Sequence, residues 1–153
     1  MHKLAAIALL SVAAVSACAT NPTTDVGNAA PSDLRSDSVY RGLGERSGID
    51  RIVETFMPLL QADRRIGKSL DDADIPHLKE KLAEQFCSLS GGPCKYTGKK
   101  MAEIHDGLNI TSAQFYALVE DLQIAMARND IAMPVQNSLL AKLAPMFRDV
   151  VTK

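Results

Sequence analysis

One histidine stands out for its chemistry because it shares a predicted helical face with apolar residues. Met101, Ile104, His105 and Leu108 are spaced i, i+3, i+4 and i+7, so in a helix they point the same way, toward the interior. A buried imidazole needs a partner for each ring nitrogen. His105 is therefore either a core residue with two hydrogen bonds or a metal ligand whose other nitrogen donates to a carbonyl. Spacing alone leaves both interpretations open.

The start of the chain has the pattern of an export signal. A positively charged beginning is followed by an almost wholly apolar run over residues 4–15, which is too short for a stable membrane span, and small residues precede Cys18. A cysteine in this place resembles the lipidated first residue of bacterial lipoproteins, whereas ordinary cleavage after Ala17 or Ala19 is the alternative. We predict a signal peptide over residues 1–17 and lipidation of Cys18. The protein is then periplasmic and anchored to a membrane, with the outer membrane favoured.

Two further segments follow the predicted signal. Residues 18–38 are rich in Thr, Asn, Pro, Ala and Ser and show no apolar period, so we predict a flexible tether. Residues 39–153 then form one domain. In an oxidising compartment Cys87 and Cys94 are predicted to form a disulfide that closes a short loop, and two free thiols are the alternative.

Composition limits the class of protein. The 153 residues are 46% hydrophobic and 23% charged, which is ordinary for a globular protein with a core of its own. The net charge is −1 and no long basic run occurs, so we expect no nucleic-acid partner.

Apolar residues recur at helical spacing throughout the domain. Asp74 is a good N-cap for one such stretch, and Thr111 with Gln114 forms a capping box before another. Pro58 and Pro145 predict bends within the first and last helices. No stretch alternates with period two. The sequence therefore predicts an all-α fold of about five helices, in which a long C-terminal pair packs on two earlier helices.

A series of short motifs lies in a characteristic order along residues 39–151. They are Leu43-Gly44 with Gly48, Phe56, Gly91-Gly92-Pro93, Tyr96-Thr97-Gly98, Met101 through His105, Leu139-Leu140-Ala141 and Ala144-Pro145-Met146. In this order and at these spacings the motifs resemble those of the truncated haemoglobins of group I. The resemblance implies a two-over-two helical sandwich that holds haem b, with His105 as the proximal iron ligand.

The resemblance also implies which side chains surround the haem. Lys81 is expected to pair with a haem propionate, although a solvated helix lysine is the alternative. Tyr96 resembles the tyrosine at the family's haem edge, and a residue that only packs in its loop is the alternative. The other expected contacts to the haem pocket are Phe56, Met57, Leu70, Leu78, Leu82, Phe86, Met101, Ile104 and Phe115, beside His105.

Three departures from the family pattern bear on the distal side. Phe56-Met57 stands where the family usually has Phe-Tyr, Leu78 and Leu82 stand where it often has glutamine, and Ser69-Leu70 replaces a phenylalanine. We therefore expect a distal side without a side-chain donor. Because bound oxygen gains from such a donor, oxygen release is expected to be fast.

These observations favour a binding protein that takes up a diatomic gas reversibly, namely oxygen, nitric oxide or carbon monoxide. Nitric oxide dioxygenation, which needs a reductase partner, is not favoured. The alternative is a six-coordinate haem protein for electron transfer or redox sensing, with Lys81, Met57 or His77 on the iron. A helical lipoprotein without a cofactor, in which His105 is a hydrogen-bonded core residue, is the third possibility.

Overall fold

The computed structural model describes residues 37–153, and within that range the chain forms helices and no strand. The predicted signal peptide (residues 1–17), the lipidation site Cys18 and nearly all of the predicted tether lie outside the described residues. The last residue assigned to the tether, Ser38, already begins a helix. No helix in the described range is both long and apolar enough to cross a membrane.

The all-α prediction is confirmed, but the helices are more numerous than expected. They are α1 (Ser38–Gly42), α2 (Glu45–Ala62), α3 (Ile75–Leu89), α4 (Met101–His105), α5 (Ser112–Arg128), α6 (Met133–Leu143) and α7 (Phe147–Val150), with 3-10 turns at Gly67–Leu70 and Ala144–Met146. The short α1 was not predicted. The last predicted helix is divided in two at Pro145, because proline lacks the backbone donor and crowds the preceding turn. In contrast, α2 continues through Pro58.

Helix α2 lies at the centre and packs against α3 and α5, while α6 contacts α1, α3 and α5. The face that α2 buries includes Ile49, Ile52 and Phe56, each 0% exposed. The ring of Phe56 meets that of Phe86 on α3 with centroids 6.5 Å apart, and Leu122 of α5 belongs to the same core. The expected arrangement of two helix pairs is thus found, and its apolar interface supplies most of the stabilisation.

Steric crowding explains why two of the sequence motifs contain glycine. A Cβ on Gly48 would collide with the carbonyl oxygen of Leu43. The tight connection between α1 and α2 therefore requires glycine at this position. A Cβ on Gly92 would collide with the Tyr40 ring and with Sγ of Cys87. Glycine at this position therefore lets the loop after α3 pass directly over the disulfide.

The helix that carries His105 depends on its neighbours, since five residues are too few for an independently stable helix. Helix α7 packs against α4. The C-terminal segment also reaches back, because the amide of Thr152 donates to the carbonyl of Ile110 at 3.0 Å. One expectation about this region is wrong: α4 ends at His105, so Leu108 lies beyond the helix and is 52% exposed rather than inward-facing.

Candidate cofactor site

A large apolar cavity opens between α2, α3, α4 and α5. Its volume, counted as the space that the centre of a water-sized molecule can occupy, is about 200 Å³, and its mouth is open to solvent. The apolar residues that line it, from all the elements around it, are Phe56, Leu60, Ile66, Leu70, Leu78, Leu82, Phe86, Met101, Ile104, Phe115, Leu118, Val119, Leu122, Leu143, Met146 and Val150. Four lining residues carry polar side-chain groups, namely Lys81, Gln85, Tyr96 and His105. An apolar lining with a few polar groups suits a mostly apolar ligand that makes a few polar contacts.

The structure brings together all but one of the side chains that were expected to surround the haem. The residues found on the cavity wall are Phe56, Leu70, Leu78, Lys81, Leu82, Phe86, Tyr96, Met101, Ile104, His105 and Phe115. Helical periodicity explains the agreement on α3, because Leu78, Leu82 and Phe86 recur every four residues and so share a face.

Met57 is the exception. Its side chain is buried, at 1% exposed, but it does not line the cavity, and its neighbour Phe56 does. Adjacent residues of a helix point about 100° apart, so one of this pair had to turn away. His77, another possible iron ligand in the sequence, lies on the surface with 61% of its side chain exposed and Glu80 beside it.

His105 is held in an orientation that suits a ligand. Its Nδ1 lies 2.8 Å from the carbonyl oxygen of Met101, one helical turn earlier. A carbonyl can only accept, so Nδ1 carries the proton and Nε2 of the neutral ring keeps its lone pair. The backbone of α4 thereby selects the tautomer that can coordinate a metal through Nε2.

A charged cluster closes the rim of the cavity. The ammonium of Lys81 donates to Oε1 of Glu84 at 2.9 Å and to the hydroxyl of Thr97 at 2.7 Å. The other oxygen of Glu84 accepts from the Thr97 amide at 2.9 Å and from its hydroxyl at 2.8 Å. Lys81 is thus tied both to its own helix and to the loop before α4. The sequence interpretation missed Glu84 and Thr97, although the i, i+3 spacing of Lys81 and Glu84 was visible.

These bonds predict how stability responds to acid. The amide of Thr97, the ammonium of Lys81 and the Thr97 hydroxyl lower the pKa of Glu84 from 4.5 to about 2. A carboxylate with a depressed pKa stabilises the fold above its unfolded pKa and loses that effect as pH falls through its folded pKa. We expect Glu84→Gln to lower the free energy of unfolding at pH 7, with the difference from wild type closing between about pH 4.5 and 2. Urea unfolding across this range measures it, and a constant difference would contradict it.

Gln85 is the polar lining residue that sequence interpretation overlooked. Its side-chain nitrogen lies 3.4 Å from Sδ of Met101 and 3.5 Å from Sδ of Met146. Thioether sulfur is a weak acceptor, so the amide is held but not strongly engaged. The position was recognisable, since residue 85 lies seven after Leu78 and three after Leu82 on one helical face.

Tyr96 and the disulfide fix the loop that leads to α4. The phenol of Tyr96 donates to the carbonyl of Lys99 at 3.0 Å, and burial raises its pKa, so it stays neutral. Cys87 and Cys94 are joined by a disulfide, with Cα atoms 5.7 Å apart. The bond ties α3 to this loop directly before Tyr96 and Thr97, both of which contribute to the rim.

The comparisons with known proteins agree with this architecture. The bacterial-like globin family matches residues 38–152. This chain belongs to the bacterial-like globin family. It is 27% identical to a group 1 truncated haemoglobin of Mycolicibacterium paratuberculosis, over 75% of this chain and 85% of that protein. The crystal structure of the truncated haemoglobin of Tetrahymena pyriformis in its Fe(III) form superposes with a TM-score of 0.73 at 26% identity, covering 75% of this chain and 98% of that one.

Family membership implies haem as the cofactor, and the residues of the cavity fit it. Among residues 37–153 there is no group of three or more His, Cys, Asp or Glu side chains that could hold a metal ion. A single protein ligand such as His105 fits an iron that a porphyrin already holds. The apolar walls suit the faces of the porphyrin, and Lys81 at the rim suits its carboxylates.

Proposed function

We propose that this protein binds haem b through Nε2 of His105 and takes up a diatomic gas reversibly, oxygen, nitric oxide or carbon monoxide. The observation that carries the proposal is the state of His105, whose Nδ1 is engaged by the Met101 carbonyl while its ring lines an apolar cavity. The Met101 carbonyl engages only one ring nitrogen, so Nε2 is left for the iron.

When bound, haem would supply an iron that can take up small gases. The side chains of this protein would supply the iron ligand, the apolar walls and the charge at the rim. His105 would bind the iron through Nε2, and the side chains of Leu78, Leu82 and Phe86 would give the porphyrin an apolar surface to pack against. The positive charge of Lys81 lies at the rim, where it would attract a propionate while its N–H groups stay with Glu84 and Thr97.

Absorption spectra of the purified protein test the proposal. The protein loaded with haem should show a Soret band, a high-spin ferric form with water bound, and a shifted ferrous band on adding carbon monoxide. A protein that takes up no haem when haem is ample would refute it. That result would leave a helical lipoprotein without a cofactor, in which His105 only supports the core.

Oxygen release is expected to be fast, because Leu78 and Leu82 present no donor to the cavity. A hydrogen bond to a charged acceptor contributes ~1.5–3 kcal/mol. Introducing one by Leu82→Gln should therefore slow oxygen dissociation roughly ten- to a hundredfold, since about 1.4 kcal/mol corresponds to tenfold. Leu82→Met keeps the volume without a donor and is the matched control in stopped-flow measurements. A slow rate in the wild type would contradict the expected fast release and would point to another donor on the wall, such as the Gln85 amide.

A six-coordinate haem protein for electron transfer or redox sensing remains the alternative function. The positions of the three possible internal ligands argue against it. Met57 does not line the cavity, and His77 lies on the surface. Lys81 lines the cavity, but its ammonium is engaged at the rim by Glu84 and Thr97.

We also propose that the protein is exported and anchored in a bacterial membrane through a lipid on Cys18. The disulfide between Cys87 and Cys94 supports export, since such bonds persist in oxidising compartments. A reductase in the same compartment would return the iron to its ferrous state. Membrane fractionation and mass spectrometry of the N-terminal peptide, compared with Cys18→Ser, test the anchor.

A further inference from the structure

We propose that Glu84 is a positioning residue that, together with Thr97, holds Lys81 at the cavity rim and keeps its nitrogen off the iron. The inference rests on the proposed function, because it concerns the iron that His105 would bind. Glu84 does not itself line the cavity. On this proposal it nevertheless decides whether the iron stays free for external ligands or is bound by Lys81.

The hydrogen bonds of the Lys81 ammonium account for all of its donors. It has three N–H groups, and three acceptors surround it: Glu84 at 2.9 Å, Thr97 at 2.7 Å and Glu80 at 3.3 Å. A metal-binding amine must instead be neutral, with two N–H groups and a lone pair. Lys81 cannot satisfy all three acceptors and coordinate iron at the same time.

Glu84 also organises the partner that Lys81 meets on the loop. Because the Thr97 hydroxyl donates to Glu84 at 2.8 Å, its lone pairs face Lys81. The Thr97 amide donates to the same carboxylate, and the disulfide at Cys94 limits the movement of this loop. The three side chains therefore form one unit, whereas Glu80 is a looser partner with 56% of its side chain exposed.

Release of Lys81 has a defined consequence. Its side chain already lines the cavity that contains His105, and the four-carbon stem of lysine is flexible. The charged and titratable groups that face it are Glu80 and Glu84 on α3, Tyr96 on the loop and His105 across the cavity. Without Glu84, the ammonium loses its best partner, and the neutral amine becomes available to the iron.

The test compares Glu84→Gln with Glu80→Gln in the full chain loaded with haem. Both substitutions remove one carboxylate beside Lys81 on the same helix, but only the first breaks the link to Thr97. Ferric absorption and electron paramagnetic resonance spectra should be high-spin for the wild type and for Glu80→Gln, and mainly low-spin for Glu84→Gln. The double variant Glu84→Gln with Lys81→Met should return to high-spin. If the internal amine occupies nine-tenths of the iron, azide affinity should fall roughly tenfold in Glu84→Gln.

A second measurement does not need haem. In the protein before haem is added, nitrogen-15 spectra of labelled lysine should show one ammonium protected from exchange, which disappears in Lys81→Met and in Glu84→Gln. If Glu84→Gln does not fold, Thr97→Val, which removes a partner without changing charge, should give the same loss of protection and a partial low-spin signal.

The outcomes separate this inference from the proposed function. A wild type without a Soret band refutes haem binding, and this inference with it. A high-spin Glu84→Gln with unchanged azide affinity refutes only the role of Glu84. A wild type that is already low-spin, or one without a protected lysine ammonium, also overturns it.

Discussion

Replacing His105 by alanine is expected to abolish the Soret band of the purified protein. Nε2 of this histidine would supply the one bond between the protein and the iron, while the apolar walls contribute only contact with the porphyrin faces. Loss of a residue that only supports a metal ligand lowers affinity by up to roughly a hundredfold. We expect loss of the ligand itself to lower haem affinity by more than that. Titration of the haem-free protein with haem, followed by absorption, measures the change.

Two further variants test whether the effect is specific to the His105 side chain. His77→Ala removes an exposed histidine outside the cavity and should leave haem uptake unchanged. His105→Gly leaves space for free imidazole, which should restore the band when added. Circular dichroism checks that the helices persist. A His105→Ala protein that is equally red, with an unchanged spectrum, would refute the assignment of the axial ligand.

Removing the disulfide is expected to have the second-largest effect. Cys87 and Cys94 are seven residues apart, and the chain-entropy relation for so short a loop gives about 2.5 kcal/mol. The double variant Cys87→Ala with Cys94→Ala should lose about that much free energy of unfolding. Alanine suits the site because Cys87 is 0% exposed, and a serine hydroxyl there would need its own partner.

Reductant provides the control for this prediction. Urea unfolding of the wild type in the presence of dithiothreitol should give the same free energy as the double variant, and dithiothreitol should not change the double variant. Since the same loop carries Tyr96 and Thr97, reduction should also loosen the rim around Lys81. Equal stability of the oxidised and reduced wild type would contradict a stabilising bond.

Local signals in the sequence were sufficient for most of the helices. The N-cap at Asp74 and the capping box at Thr111 occur as predicted, with side-chain oxygens that accept from His77 and Gln114. These signals depend on residues three or four apart, so they can be recognised without knowing what the helix packs against. The failures lie where the chain turns or ends, at the unexpected α1 and at the early end of α4.

The sequence by itself determined the all-α class, the family and the inward direction of His105, because these follow from helical periodicity and from motifs in order along the chain. Only the tertiary structure decided that Phe56 rather than Met57 lines the cavity, and that Gln85 contributes an amide to its wall. It also decided that Lys81 is held by Glu84 and by Thr97, sixteen residues away. The physical reason is that such contacts depend on how the helices and the loop before α4 pack against one another, which the spacing of residues within one helix does not specify.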